Sequence, residues 1–196
     1  GGDKGIYCFG QTASSRTNSI NLVSNSGVVA SDSSGAGTAT FAGAACSYGV
    51  GKGIKAYGWT TGALNESNLI SDTGGMAASI TLVGTARFAP SGVAYGEDKA
   101  IFAFGANGSG RLGMSNLVSS SGVVASDVSA VGTARHSPGG VGYGSDKGIF
   151  VFGSHAPATY SNISNLVSNS GVIATDGIGV GTARAVIYQG AGYSTA

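Results

Sequence analysis

An active site or metal centre would have to be assembled from histidine, cysteine, tyrosine and acidic side chains, and few of these converge here. The two histidines, His136 and His155, are too few for a histidine-based metal site, and no cysteine or carboxylate shares a ligand spacing with them. Serine, histidine and aspartate are all present, but no sharp turn motif sets a serine up as a nucleophile. The Asp-rich segments lack the alternating Asp spacing and central glycine of a calcium loop. The glycine-rich run Gly105-Ala106-Asn107-Gly108-Ser109-Gly110 does not open a helix, so a phosphate cradle is not expected. The chain therefore reads as a non-enzyme, with no catalytic residue, metal or cofactor expected.

The residues left as binding candidates are Arg16, Trp59, Arg111, His155 and Tyr160. They lie in four segments of unequal length, residues 11–19, 59–67, 106–115 and 154–164. Loops on a rigid scaffold are where binding groups tend to be placed. The functional reading is a contact surface for a glycan, a polymer or a neighbouring protein; the competing reading is drift in solvent-exposed loops. Asn65, Asn107 and Asn162 begin N-x-Ser sequons in the same loops, which matter only in a cell that glycosylates.

These loops interrupt a regular frame. An apolar octet recurs four times, beginning at Asp3, Gly51, Asp98 and Asp146; in the last copy it reads Asp146-Lys147-Gly148-Ile149-Phe150-Val151-Phe152-Gly153. Its lysines, Lys4, Lys52, Lys99 and Lys147, are spaced 48, 47 and 48 residues apart. A constant period of this size marks a repeat architecture. Each unit divides into four strand-sized pieces. The first opens with Gly-Thr-Ala-Arg, or Gly-Thr-Ala-Thr in the copy at 37–40, and ends in small residues and a tyrosine. The octet is the second and is apolar on both faces, so it should be covered on both. The third starts at Asn21, Asn68, Asn116 and Asn165, and the fourth is Val28–Asp32 with its counterparts. Glycine this dense, 36 of 196 residues, is hostile to helices.

Four strands in about 48 residues is the pattern of a β-propeller blade. The expectation is an all-β fold, one propeller domain of four blades over 1–196: approximately 38–84, 85–131, 132–180, and 181–196 joined to 1–37. In that last blade residues 182–193 supply the inner strand to residues 1–36, pairing the two ends and closing the ring. The rival architecture is an open segment of a longer propeller, completed by repeats outside this sequence or by another copy.

Most charges recur with the repeat and so read as scaffold. The clusters are Arg87, Asp98 and Asp127; Arg135, Asp146 and Asp176; and Arg184 with Asp3 and Asp32 across the joined ends. One unit loses all three, with Thr40, Gly51 and Ser79 in their places. The pattern suggests an arginine with two carboxylates in reach, lost together because an unpaired, partly buried charge is costly. Cys8 and Cys46 sit where other units carry Ala56, Ala103 and Val151, or Val93 and Val141, which argues for buried free thiols. His136 aligns with Phe41 and Phe88, so a packed imidazole is expected.

Arg135-His136-Ser137 followed by Gly148-Ile149-Phe150-Val151-Phe152-Gly153 resembles the kelch repeat and the related central propeller of galactose oxidase. The departures are a single closing glycine and a missing signature tryptophan. The radical chemistry of galactose oxidase needs tyrosine, histidine and cysteine ligands that cannot be assembled here. Phe104–Gly113 resembles, once, the Trp-Gly-x-Asn-x-x-Gly-Gln-Leu-Gly segment of regulator-of-chromosome-condensation repeats. Across nearly the whole chain the style of the repeats is similar to arrays in tailed-phage structural proteins. That resemblance implies a virion or fibre role without enzymatic activity.

Bulk composition agrees with a folded, sparsely charged chain: 42% hydrophobic, 10% charged, net charge +1. Nothing in it calls for nucleic acid or membrane insertion as a partner. The expected function is a structural or adhesion module of a virion, tail fibre or decoration protein, in a virion or extracellular setting. Its expected partners are other structural proteins, a cell-surface glycan or further copies of itself. The alternatives are a carbohydrate-binding, lectin-like propeller and a piece of a longer kelch-like propeller that mediates protein–protein contacts.

Overall fold

The computed structural model of the chain describes residues 4–129, 131–179, 181–185 and 190–192. These residues form β-strands and turns, with no helix among them. Four main antiparallel sheets follow one another along the chain, with two separate two-stranded hairpins inserted in the last two units. The first is β1 (Gly5–Gln11), β2 (Arg16–Val23) and β3 (Ser33–Ser34). The second is β4 (Ala44–Tyr48), β5 (Lys52–Ala56), β6 (Glu66–Ile70) and β7 (Ile80–Thr81). The third contains β8 (Ser91–Tyr95) and β9 (Lys99–Ala103), then a small hairpin of β10 (Ala106–Asn107) and β11 (Gly110–Arg111), then β12 (Ser115–Val118). The fourth repeats this plan with β13 (Gly139–Tyr143), β14 (Lys147–Val151), the hairpin β15 (Ser154–Ala156) and β16 (Thr159–Tyr160), and β17 (Ser164–Val167).

The octet forms the second strand of every unit, as the repeat predicts, and in the last three sheets it sits between its two neighbours. The expected outer strand shrinks to single bridges, Val23 with Val29, Ile70 with Met76, Val118 with Val124 and Val167 with Ile173, supplemented by β3 and β7. The last five residues of the expected first strand form a continuous ladder; its Gly-Thr-Ala-Arg half pairs only through isolated bridges such as Phe41 with Trp59 and Phe88 with Ala106, and serves another purpose.

Consecutive sheets pack face to face, so the core is a series of layers between them. Tyr48, Ile54, Ala56 and Tyr57 of the second sheet meet Ala100, Phe102, Val118 and Val124 of the third. Val93, Tyr95, Ile101, Ala103 and Phe104 of the third meet Phe150, Val167 and Ile173 of the fourth. Edge-to-face aromatic pairs, Tyr57–Phe102 at 5.7 Å and Phe104–Phe150 at 5.6 Å, span the two layers. The innermost strands touch most closely: a side chain at Gly140 would begin 2.5 Å from Ser91 Oγ, so bulk is excluded there.

The shared blade falls partly outside the described residues. Residues 190–192 do lie on β13 much as β13 lies on β8, with the Gly190 amide donating to the Gly140 carbonyl at 3.4 Å. Among the described residues, however, β1 pairs only with β2. Closure of the ring within one chain is not among the contacts observed.

Candidate functional site: the sheet junctions and the loop rim

Four aromatic residues close the octets: Phe9, Tyr57, Phe104 and Phe152. Each takes a left-handed backbone conformation, with φ of 63°, 62°, 64° and 63°. Such a conformation costs a non-glycine residue about 1–3 kcal/mol and persists only where the surroundings over-determine it. Here the surroundings are the next unit. The glycine after each aromatic donates its amide to the carbonyl of the fourth residue of the Gly-Thr-Ala-Arg/Thr motif: Gly10 to Thr40, Gly58 to Arg87, Gly105 to Arg135 and Gly153 to Arg184. The ring itself receives the arginine. The guanidinium carbons of Arg87, Arg135 and Arg184 lie 3.8, 3.7 and 3.7 Å from the ring centres of Tyr57, Phe104 and Phe152.

The other side of the guanidinium is bound by the arginine's own unit. Arg87 Nη2 donates to Asn116 Oδ1 at 2.5 Å, and Arg135 Nη2 to Asn165 Oδ1 at 2.5 Å. Each asparagine then donates from Nδ2 to an aspartate eleven residues on, Asp127 or Asp176, both at 2.9 Å. The aspartate accepts from the amide and hydroxyl of the motif threonine, Thr85 or Thr133. The result is a lock running aromatic–Arg–Asn–Asp–Thr across the junction. Arg87 and Arg135 are completely buried, and burial pushes the Arg135 guanidinium down to about 10. Burial alone would raise the carboxyls of Asp127 and Asp176, but the asparagine and threonine hydrogen bonds outweigh it and hold both below the usual range.

This revises the expected charge clusters. Arg87 approaches Asp127 at 3.7 Å, but Asp98 pairs with its neighbour Lys99 at 2.8 Å and Asp146 with Lys147 at 3.4 Å. The arginine therefore does not gather two carboxylates. Asp98 lies beyond β8 in the β8–β9 turn, a whole strand away from Arg87, which precedes β8. Asp32 is bound by Asn21 Nδ2 at 2.7 Å, and Asp3 lies outside the described residues. The recurring lysines also acquire a role: Lys52, Lys99 and Lys147 each face the tyrosine that ends the preceding strand, Tyr48, Tyr95 and Tyr143.

The junction of the first and second sheets departs from the pattern. Thr40 replaces the arginine, and Lys55 brings its ammonium 4.9 Å from the Phe9 ring centre. A cavity of about 140 Å³ opens there, lined by Cys8, Phe9, Thr40 and Lys55 among others. Two buried oxygens, Thr40 Oγ1 and Asn68 Oδ1, have no hydrogen-bond partner. Lys55 is buried, and desolvation pushes its amine down to about 8. Both cysteines are free thiols, as expected, but each is only partly buried; desolvation raises both and pushes Cys46 up to about 12, so neither is a primed nucleophile.

The five loop candidates are not brought into one pocket, and three are braces to the following unit. Arg16 lies over the Phe41 ring at 5.6 Å, Trp59 packs edge-to-face on Phe88 at 4.9 Å, and Arg111 Nε donates to the Ser154 carbonyl at 3.1 Å. His155 is half-buried with Nδ1 unpaired, and Tyr160 is exposed on the β15–β16 hairpin. His136 is packed as expected, bonded to Ser137 Oγ at 2.9 Å, with burial and then the nearby Arg111 charge lowering its pKa. Two sequon asparagines use the amide nitrogen that a glycan would take: Asn65 donates to Leu82 and Gly84, Asn162 to Gly179. Sequence reasoning missed the asparagine at the centre of the lock. Its signal was available, because Asn21, Asn116 and Asn165 each precede an aspartate by eleven residues. No protein-family model matches the chain, and no curated protein is significantly similar to it.

Proposed function

We propose that this chain is a non-enzymatic structural or adhesion module of virion, fibre or decoration type, built as β-propeller blades and presenting its variable loops as the contact surface. A further blade combines a C-terminal inner strand with β1–β3, within one chain or across two copies. The observation that carries the reading is the use made of the chain's buried charge. Arg87 and Arg135, the groups best suited to bind or polarise a substrate, are bound on both sides by the scaffold. What differs between units is the loop rim, and there Arg16 and Tyr160 are the exposed candidates, Tyr160 the only exposed aromatic of the five. That exposed ring also supports the second reading, a carbohydrate-binding module, since aromatic faces stack on sugars.

A glycan array probed with the wild-type chain and with Tyr160→Ala separates the two. Silence on the array, together with co-assembly with virion structural proteins, is the expected result. Binding abolished by Tyr160→Ala moves the chain to the second reading, and turnover of any glycan on the array overturns the non-enzymatic assignment.

A further inference from the structure

The interior junctions use one set of contacts, and both ends of the chain carry half of that set without its partner. In the interior, the turn glycine of one unit enters a pocket of the preceding one. A side chain at Gly122 would meet Leu69 and Tyr48, and one at Gly171 would meet Leu117 and Tyr95, all within 3 Å. Gly27 is their equivalent in the first unit, with the same φ near 80°, and has nothing within 4 Å. The pocket it matches stands open on the fourth sheet, a cavity of about 400 Å³ lined by Tyr143, Leu166, Lys147 and Val172 among others.

The packing residues tell the same story. Phe102 and Phe150 are fully buried against the preceding sheet, whereas Tyr7, at the same repeat position, is 68% exposed. Val124 and Ile173 are buried, whereas Val29 is 56% exposed. On the opposite end Tyr143 is 40% exposed where Tyr48 and Tyr95 are buried. The lock is also divided: Arg184 stacks on Phe152 at the C-terminal end, while the bonded Asn21–Asp32 pair waits at the N-terminal end. Finally, among the described residues β1 pairs only with β2, where β5, β9 and β14 also pair with an inner strand, and residues 190–192 lie against β13 in the inner position without a strand ladder of their own.

We infer that two copies of this chain associate head to tail, the first sheet of one seated on the fourth sheet of the other. Gly27 and Val29 enter the Tyr143–Leu166 pocket, Tyr7 covers Phe152, and Arg184 joins Asn21 and Asp32. The interface continues one already built into the chain, and its lock pairs a cation with a carboxylate. The occupant we infer is a second copy, because among the described residues the first and fourth sheets do not meet while each carries the half of the contact set that the other lacks. Bringing them together would mean rotating interior junctions in which Arg87, Arg135, Phe102 and Phe150 are fully buried. A second copy requires no such rearrangement. The contact is heterologous, so it either closes into a ring or continues as a polymer.

Mass in solution, by light scattering and sedimentation, tests this. The wild-type chain is expected at twice its 19.0 kDa or more. Tyr7→Asp blocks one face and Leu166→Asp the other, and each alone is expected at the single-chain mass. Mixed in equal amounts, they retain one good face each and should regain a two-chain mass, which also shows that both are folded. A wild-type chain of single-chain mass overturns the inference. So does a pair of single-chain variants that fails to recombine. A Leu166→Asp variant that melts earlier with no change of mass points instead to closure within one chain.

Discussion

The junction between the second and third sheets and the junction between the first and second solve the same problem with different chemistry. Both place a cation on an aromatic ring held at positive φ, Arg87 on Tyr57 and Lys55 on Phe9. At the former, the guanidinium also reaches Asn116 and approaches Asp127. At the latter, the arginine and the aspartate are absent together, Thr40 and Ser79 standing in their places, and a cavity and unpaired oxygens remain. The difference teaches that the lock is a unit. A planar, five-donor guanidinium can stack and donate at once, whereas a lysine ammonium is a compact point charge that cannot reproduce the fork.

Three substitutions sharpen or break this comparison. The largest effect is expected from Arg87→Ala. It strands Asn116 and Asp127 and empties the site under Tyr57, so unfolding in denaturant should show a loss of about 3–5 kcal/mol. A loss below about 1 kcal/mol would mean that the lock contributes no more than an exposed ion pair.

Next is Lys55→Met, with the opposite sign. The folded pKa of Lys55, about 8, lies below its ordinary 10.5, so the unfolded chain binds more protons between these values. Stability from this group therefore rises with pH from about 8 to 10.5, and its penalty is fully present below 8. Lys55→Met should stabilise the protein at pH 7 by about 2–3 kcal/mol, a gain that fades as the pH approaches 10.5. Because Cys8 is coupled to Lys55, variant and parent are compared in a Cys8→Ala background. A gain that is independent of pH would show that Lys55 acts by shape rather than by charge.

The smallest effect is expected from Asp127→Asn, at about 1 kcal/mol near neutral pH. The folded carboxyl is depressed below 3.8, so its contribution is present above that pH and is lost as the pH falls through the folded value. Thermal melts between pH 2 and 5 should show that acid sensitivity reduced, not abolished, because Asp176 holds the equivalent position at the next junction.

Much of this was legible in the chain itself. The octet's period marked the second strand of all four units, which is central in the last three sheets, where its apolar residues lie between neighbouring sheets. The joint replacement of the arginine and the aspartate by Thr40 and Ser79 pointed to Arg87 and Asp127 as partners, and they approach at 3.7 Å. The same reasoning also drew in Asp98, wrongly, because co-loss along a repeat does not say which end of a strand a residue occupies. Arg16, Trp59 and Arg111 looked like contact residues because their segments differ in length and read as loops, whereas Arg16 begins β2 and Arg111 ends β11. Their partners, Phe41, Phe88 and Ser154, lie in the next unit, and nothing local in the sequence points across that gap.

The sequence by itself determined the all-β class, the number of units and the residues that recur. Period, alternation and glycine placement are local properties that each unit states for itself. The tertiary structure decided what the recurring polar residues do: that the octet's last aromatic turns to positive φ to receive an arginine from the next unit, and that an asparagine passes that charge on to an aspartate. Apart from the Asn–Asp step, which spans eleven positions, those contacts join residues separated by 29 to 43 positions, and the stacking of arginine on the aromatic ring exists only once two sheets are packed together.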